Sequence, residues 1–102
     1  MAGEGRGQMT VTVEEHREQI LAAASRHGAR NVRIFGSVAR GDDQPLSDLD
    51  LLVEMAADRS LLDLVALEQE LEALLQRPVD VVTEQSLAPA IRERIRSDAR
   101  AL

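Results

Sequence analysis

Two aspartates separated by one leucine give the clearest chemical signal in this 102-residue sequence. Asp48-Leu49-Asp50 opens an apolar run that we predict to be a strand, ending at Glu54. Side chains alternate along a strand, so Asp48 and Asp50 share one face while Leu49 enters the core. Asp80 lies between two valines of a later predicted strand and should also face away from the core. If these strands are neighbours, three carboxylates converge on one patch.

Such a cluster of like charges is unfavourable unless a cation compensates it. Magnesium prefers oxygen ligands and is often held by one or two carboxylates together with substrate phosphates. Two such ions can stabilise both the attacking and the leaving oxygen of an in-line displacement. The three aspartates therefore predict a Mg²⁺ site for phosphoryl-group chemistry.

A Gly-Ser pair, Gly36 and Ser37, follows the first predicted strand, Asn31 to Phe35. The glycine lets the backbone approach a ligand closely. The serine is predicted to begin a short helical turn, where free N–H groups and the helix dipole favour a phosphate. Arg40 follows in the same turn or loop and can neutralise a phosphate oxygen. These residues predict a phosphate-binding turn next to the carboxylates.

The rest of the chain must supply the helices and strands that position these residues. Besides the three strands and the short turn, helices are predicted from a capping box at Thr12 to Gly28, from a capping box at Ser60 to about Arg77, and from Leu87 to Ala99 with Pro89 in the first turn. The long second helix makes a crossover, so the second strand and the third strand, Val79 to Thr83, should be parallel. The shorter link between the first two strands favours an antiparallel pair. We predict one α/β domain of order α-β-α-β-α-β-α with a small mixed three-stranded sheet.

Composition excludes several classes of function. The net charge is −6 and Phe35 is the only aromatic residue, so neither a stable electrostatic grip on nucleic acid nor a base-stacking platform is expected. The absence of cysteine excludes disulfides and thiolate sites. No leader pattern or long apolar run is visible, which favours a cytoplasmic protein without membrane contact. The Gly-rich residues 1–9 are predicted to be a disordered lead-in to a domain formed by residues 10–102.

The spacing of the two motifs resembles a known signature. Gly36-Ser37, ten intervening residues and Asp48-Leu49-Asp50 are similar to the pattern of the polymerase-β-like nucleotidyltransferase superfamily. The longer stretch FGSVARGDDQPLSDLDLLVE resembles the minimal nucleotidyltransferase (MNT) branch, whose prokaryotic members often act as antitoxins beside a HEPN-domain toxin. The resemblance covers nearly the whole chain after Met9, including RPVDVV and LAPAIRERI.

The resemblance implies a role for each matching residue. Gly36 and Ser37 would hold the triphosphate of the incoming nucleotide. Asp48 and Asp50 would bind two magnesium ions, and Asp80 would complete one metal site and help to deprotonate the acceptor hydroxyl. The reaction implied is attack on the α-phosphate with loss of pyrophosphate. In antitoxin members the donor is typically ATP, and the acceptor is a tyrosine hydroxyl of a HEPN ribonuclease toxin that the modification silences.

Two other functions remain open at this stage. The chain could be a non-catalytic antitoxin that masks a partner protein and retains only a vestigial site. It could also be a nucleotidyltransferase that modifies a small molecule. The larger members of the superfamily have a further domain that binds the acceptor or the base. We expect no such domain in these 102 residues, which disfavours the second alternative.

Several features also have a purely structural interpretation. Taken alone, Gly36-Ser37 could be a plain turn, and Asp80, Arg40 and Arg33 could be solvated surface residues. The glutamates of the long helix are most simply a solvated face, and the histidines have no evident carboxylate partner. The arginines near the C-terminus are favoured by the dipole of the last helix, although they could contact RNA or an acidic partner. The residues concerned are Glu68, Glu70 and Glu72, then His16 and His27, then Arg92, Arg94, Arg96 and Arg100.

Overall fold

The structure, a computed structural model, describes residues 13–36 and 48–102. The helices are α1 (Arg17–Arg26), α2 (Leu61–Leu75) and α3 (Pro89–Asp98), and the strands are β1 (Ala29–Phe35), β2 (Leu49–Met55), β3 (Val79–Thr83) and β4 (Arg100–Ala101). A 3-10 turn, Glu84–Ser86, follows β3. The predicted cap at Thr12, the lead-in 1–9 and the short helical turn after Gly36 lie outside the described residues.

One mixed sheet positions the candidate residues. Its strand order is β3-β2-β1-β4, with β1 antiparallel to β2 and β2 parallel to β3, as predicted. The predicted strand count of three was too small, because β4 pairs antiparallel with β1 and adds a fourth strand. β4 is only two residues long, so it has no periodicity by which the sequence could reveal it.

Local sequence signals explain where the helices begin and end. At the start of α2 the Ser60 hydroxyl accepts a hydrogen bond from the Leu62 amide at 3.2 Å, and the Asp63 carboxylate accepts one from the Ser60 amide at 2.9 Å. This is the predicted capping box. α1 ends before Gly28, whose positive φ of +79° suits the position after a helix. α3 begins with Pro89, where a missing N–H costs nothing.

The two faces of the sheet are used differently. One face packs its buried aliphatic side chains against α1 and α2; these are Leu49, Leu51 and Val53 of β2, Val79 and Val81 of β3, Ile20 of α1, and Leu67, Leu71 and Leu75 of α2. The opposite face presents Asp50, Leu52 and Glu54 from β2. Leu52 is fully buried although it lies outside this core. In the described part of the chain, no helix is long and apolar enough to cross a membrane.

Candidate active site

Phe35, Asp50 and Asp80 form a row across three strands. Asp50 on β2 is the register partner of Phe35 on β1 and of Asp80 on β3. Directly paired residues of neighbouring strands lie on the same face, with the strands about 4.8 Å apart. Asp80 is exposed and Asp50 is partly buried. The sheet therefore brings together two carboxylates that are thirty positions apart in the sequence.

Alternation of buried and exposed residues fixes this arrangement. Leu49 and Leu51 are buried on either side of Asp50, so its carboxylate must face away from the core. The Leu49 amide donates to the Pro78 carbonyl at 2.9 Å, which aligns the starts of β2 and β3. Asp48 immediately precedes β2 and is exposed. Its position one residue before Leu49 is the one predicted for a side chain on the Asp50 side.

Gly36 lies directly against the Asp50 carboxylate. Its φ is +79°, a left-handed conformation that favours glycine. A Cβ built on Gly36 would overlap the Asp50 Oδ2 atom and lie 3.3 Å from its Cγ. The antiparallel pairing of β1 and β2 thus joins the glycine of the first motif to the second aspartate of the other motif.

Ser37 and Arg40 lie outside the described residues. The phosphate-binding turn they would form with Gly36 therefore stays a prediction from the sequence. What the structure does describe is the point where that turn begins, at the end of β1 and beside Asp50.

The donor set of the row suits a hard divalent cation. Carboxylate oxygens are the ligands that magnesium prefers, and one or two of them often suffice when substrate phosphates complete the coordination. Within residues 13–36 and 48–102, no group of three or more His, Asp or Glu side chains is close enough to form a metal site by itself. Asp50 and Asp80 thus fit a site shared with substrate, and the convergence of Asp48 with them stays a prediction.

Glu84 links β1 and α3 at the other end of the sheet face that carries Asp50. It follows β3, and it accepts hydrogen bonds from Arg33 Nη1 at 3.0 Å and from Arg96 Nη2 at 2.6 Å. The hydrogen bond from Arg96, and then that from Arg33, lowers the pKa of Glu84 from 4.5 to about 2. Because β2 lies between β1 and β3, the Arg33 side chain crosses Leu52 to reach Glu84. Its aliphatic part is thus placed to shield Leu52 from water.

The interpretation of Arg33 as a solvated residue was wrong. Its side chain is only 16% exposed, and its Nε donates to the Asn31 carbonyl at 3.2 Å. Two arginines of the C-terminal cluster also have internal partners. Arg92 donates to the carbonyls of Glu84 and Leu87, at 3.0 and 3.2 Å, and Arg96 contacts the Glu84 carboxylate. These contacts attach α3 to the end of β3, which explains Arg92 and Arg96 without a nucleic acid or an acidic partner.

The glutamates of α2 are not simply a solvated face. β3 is an edge strand, and the outward-facing amides of Val79 and Val81 donate to Glu72 at 3.1 Å and to Glu68 at 2.8 Å. Edge amides left open can pair with another chain, so this side of the sheet is protected by its own helix. The sequence does not reveal these bonds because they depend on how α2 crosses β3.

The third glutamate of α2, Glu70, also has partners. Its carboxylate contacts Arg26 and lies 2.8 Å from His27 Nε2. The hydrogen bond with His27 is the largest cause that lowers the pKa of Glu70. His27 is therefore a half-buried residue with a carboxylate partner, which the sequence alone did not show.

A separate cavity of about 240 Å³ opens where β2 and β3 end. Arg30, Glu54, Met55, Thr83 and Glu84 are among its lining residues. Its charged groups are largely paired with each other or with neighbours, as in the 3.4 Å contact between Arg30 and Glu54. The row of carboxylates lies at the opposite end of these strands.

Comparison with known proteins defines the class of protein to which the chain belongs. Residues 16–102 match the family model described as a nucleotidyltransferase domain. The chain belongs to that family and is a nucleotidyltransferase.

Individual relatives extend the comparison. A Methanocaldococcus jannaschii protein named as a protein adenylyltransferase, MJ0435, is 40% identical over 89 residues, which cover 87% of this chain and 96% of the relative. The protein adenylyltransferase MntA of Thermococcus cleftensis is 40% identical over 88 residues, covering 81% of this chain and 89% of the relative. A solved structure of a minimal nucleotidyltransferase has a TM-score of 0.82 and 48% identity, over 89% of this chain and 93% of that one.

A more distant structure shares the fold alone. A toxin–antitoxin crystal structure with AMP-PNP has a TM-score of 0.72 and 21% identity, over 82% of this chain and 69% of that chain. Together these comparisons confirm the predicted fold class and the resemblance to minimal nucleotidyltransferases.

Proposed function

We propose that this chain is a Mg²⁺-dependent enzyme that transfers AMP from ATP to a protein hydroxyl. The acceptor we propose is a tyrosine of a cognate HEPN ribonuclease toxin, so that the chain acts as the antitoxin. The observation that supports this most is the register pairing of Asp50 with Asp80, beside Gly36. The relatives named as protein adenylyltransferases, and the related fold solved in a toxin–antitoxin complex with AMP-PNP, favour this acceptor class.

The proposed reaction is an in-line displacement at the α-phosphorus of ATP. The acceptor oxygen forms a bond to this phosphorus, the bond to the bridging oxygen of the β-phosphate breaks, and pyrophosphate leaves. The hydroxyl proton passes to the Asp80 carboxylate, which is exposed beside Asp50. Catalysis of this kind depends mainly on positioning and on stabilisation of charge.

The remaining candidate residues would bind the nucleotide. Asp48 and Asp50, with Asp80, are the carboxylates that would hold two magnesium ions, which neutralise developing charge on phosphate oxygens when bound. Gly36, Ser37 and Arg40 would hold the triphosphate, with the missing side chain at position 36 leaving room beside Asp50.

We further propose that residues 10–102 form the minimal nucleotidyltransferase domain and that residues 1–9 are a lead-in. The family match over residues 16–102 includes every described element of the sheet. A reaction that consumes ATP and modifies a ribonuclease toxin suits the cytoplasm, and we propose this location.

The test is a labelling experiment with the complete chain. The protein is incubated with Mg²⁺, α-labelled ATP and a HEPN protein, for which the product of the adjacent gene is used if that gene encodes one. We expect label on a tyrosine of that protein together with loss of its ribonuclease activity. γ-labelled ATP should give no label, because the γ-phosphate leaves with pyrophosphate. Silencing of the ribonuclease without any α-label would contradict transfer and would favour the non-catalytic masking of a partner.

A further inference from the structure

The first turns of α2 form an apolar surface that residues 13–36 and 48–102 leave exposed. Leu61 and Leu62 are 71% and 79% exposed, and Val65 is 39% exposed. Residues three and four positions apart are neighbours on a helix, so these side chains form one continuous surface, the α2 patch. The core-facing side of the same helix is formed by other residues, namely Leu67, Leu71 and Leu75.

The exposed side chains of the α2 patch contribute little to the stability of the folded chain. Burying a leucine or valine side chain contributes about 1.5–3 kcal/mol, and here most of that contribution is not used within the fold. Contiguous exposed apolar side chains in a small protein mark sites of interaction with other molecules.

The position of the α2 patch separates it from the candidate active site. Asp50 lies near the start of β2, whereas α2 follows the end of this strand after the loop 56–60. Five residues of strand, at about 3.3 Å each, place Asp50 about 16 Å from Met55. A protein bound to the α2 patch therefore leaves the carboxylates accessible to nucleotide.

The size of the α2 patch favours a short-lived partner. Three aliphatic side chains expose an area on the order of a few hundred Å². A stable interface buries roughly 800 Å² on each partner, so this surface alone is too small to hold a permanent dimer. A brief contact suits a protein substrate, which must leave after it has been modified.

Charge indicates the chemistry of that partner. Helix α2 contains four carboxylates and no Arg or Lys, and the whole chain has a net charge of −6. The carboxylates of α2 are bonded within the fold, so it is the overall negative charge of the chain that favours a partner whose apolar contact is surrounded by Arg and Lys side chains. We propose that the α2 patch docks the protein acceptor of the transfer reaction through an apolar, positively bordered surface. This proposal rests on the proposed function.

The test compares two substitutions of exposed aliphatic residues. Leu61→Gln/Leu62→Gln removes the α2 patch without touching the core, and Ile91→Gln is the control, because Ile91 is 50% exposed on α3. The rate of AMP transfer is measured against the concentration of the same HEPN protein. We expect the KM for this acceptor to rise at least 10-fold in the double variant, with kcat within twofold and the control unchanged. An unchanged KM would overturn the docking role.

Two further measurements separate this proposal from the proposed function. Binding of the HEPN protein is measured by calorimetry without ATP. The chain could transfer no label and yet bind the HEPN protein, with this binding lost in the double variant. That result would support docking at the α2 patch although the proposed function fails. Sedimentation of the chain alone tests whether a second copy of this chain occupies the α2 patch instead. A dimer that Leu61→Gln/Leu62→Gln dissociates would assign the α2 patch to a second copy and overturn the acceptor as its occupant.

Discussion

The backbone of Gly36 lies so close to the Asp50 carboxylate that no side chain fits between them. A Cβ at position 36 would overlap Oδ2 of Asp50, and the φ of +79° would strain any residue with a side chain. The glycine is therefore required twice, once by the backbone and once by the carboxylate that it contacts. This contact connects the proposed phosphate-binding turn to the proposed metal ligands.

Gly36→Ala and Gly28→Ala form a matched pair that separates these two requirements. Both glycines have a φ of +79°, so each alanine should lower the free energy of unfolding by about 1–2 kcal/mol. The three atoms nearest to a Cβ at Gly28 belong to the side chain of Arg59, which is 37% exposed and must shift, whereas the Asp50 carboxylate is untouched. We expect Gly36→Ala to reduce AMP transfer at least 10-fold and Gly28→Ala to retain it. Urea unfolding and the labelling rate measure the two effects, and equal activity in both variants would show that the contact with Asp50 is unimportant.

The pairing of Glu84 should make stability depend on pH. Its pKa is lowered from 4.5 to about 2, first by the hydrogen bond from Arg96 and then by that from Arg33. A depressed pKa contributes stability above the unfolded value, and that contribution is lost as the pH falls towards the folded value. We expect the urea midpoint of the wild type to fall between about pH 5 and pH 2 more steeply than that of Glu84→Gln. Parallel curves for the two proteins would contradict this account of the network.

Two glutamates of α2 should stabilise the edge of the sheet. Glu68 and Glu72 accept hydrogen bonds from the amides of Val81 and Val79 on β3. We expect Glu68→Ala and Glu72→Ala each to lower the free energy of unfolding by about 1–3 kcal/mol, because a charge-assisted hydrogen bond is lost. Gln69→Ala, an exposed change on the same helix, is the control. If the two glutamate variants unfold in urea at the same free energy as this control, water replaces the two carboxylates without loss of stability.

Local sequence patterns, namely strand alternation and helix capping, made much of the site's position predictable. Alternation around Leu49 placed Asp50 on the side opposite the core, and the capping box at Ser60 placed the crossover helix α2. That crossover made β2 and β3 parallel, which is why Asp80 could be predicted near Asp50 from the sequence alone.

Contacts without a local pattern could not be predicted. β4 has two residues and exists only because α3 returns the chain to the edge of β1. The burial of Arg33 depends on Glu84, which is fifty-one positions away, and on the strand order that puts β2 between them. The bonds of Glu68 and Glu72 likewise depend on the crossing of α2 over β3. Tertiary geometry decides these cases, and no helix or strand propensity encodes it.

The central claim is that the carboxylates in register on β2 and β3 carry out AMP transfer. It is tested most directly by the initial rate of α-label transfer to the HEPN protein with Mg²⁺, comparing Asp50→Asn and Asp80→Asn with Asp58→Asn. Asp58 is exposed in the loop after β2, so its variant removes one negative charge away from the row. We predict a loss of at least 100-fold for Asp50→Asn and Asp80→Asn, with folding intact by circular dichroism, and a rate within twofold of wild type for Asp58→Asn. Wild-type rates in folded Asp50→Asn and Asp80→Asn would contradict the claim that these carboxylates are the catalytic site.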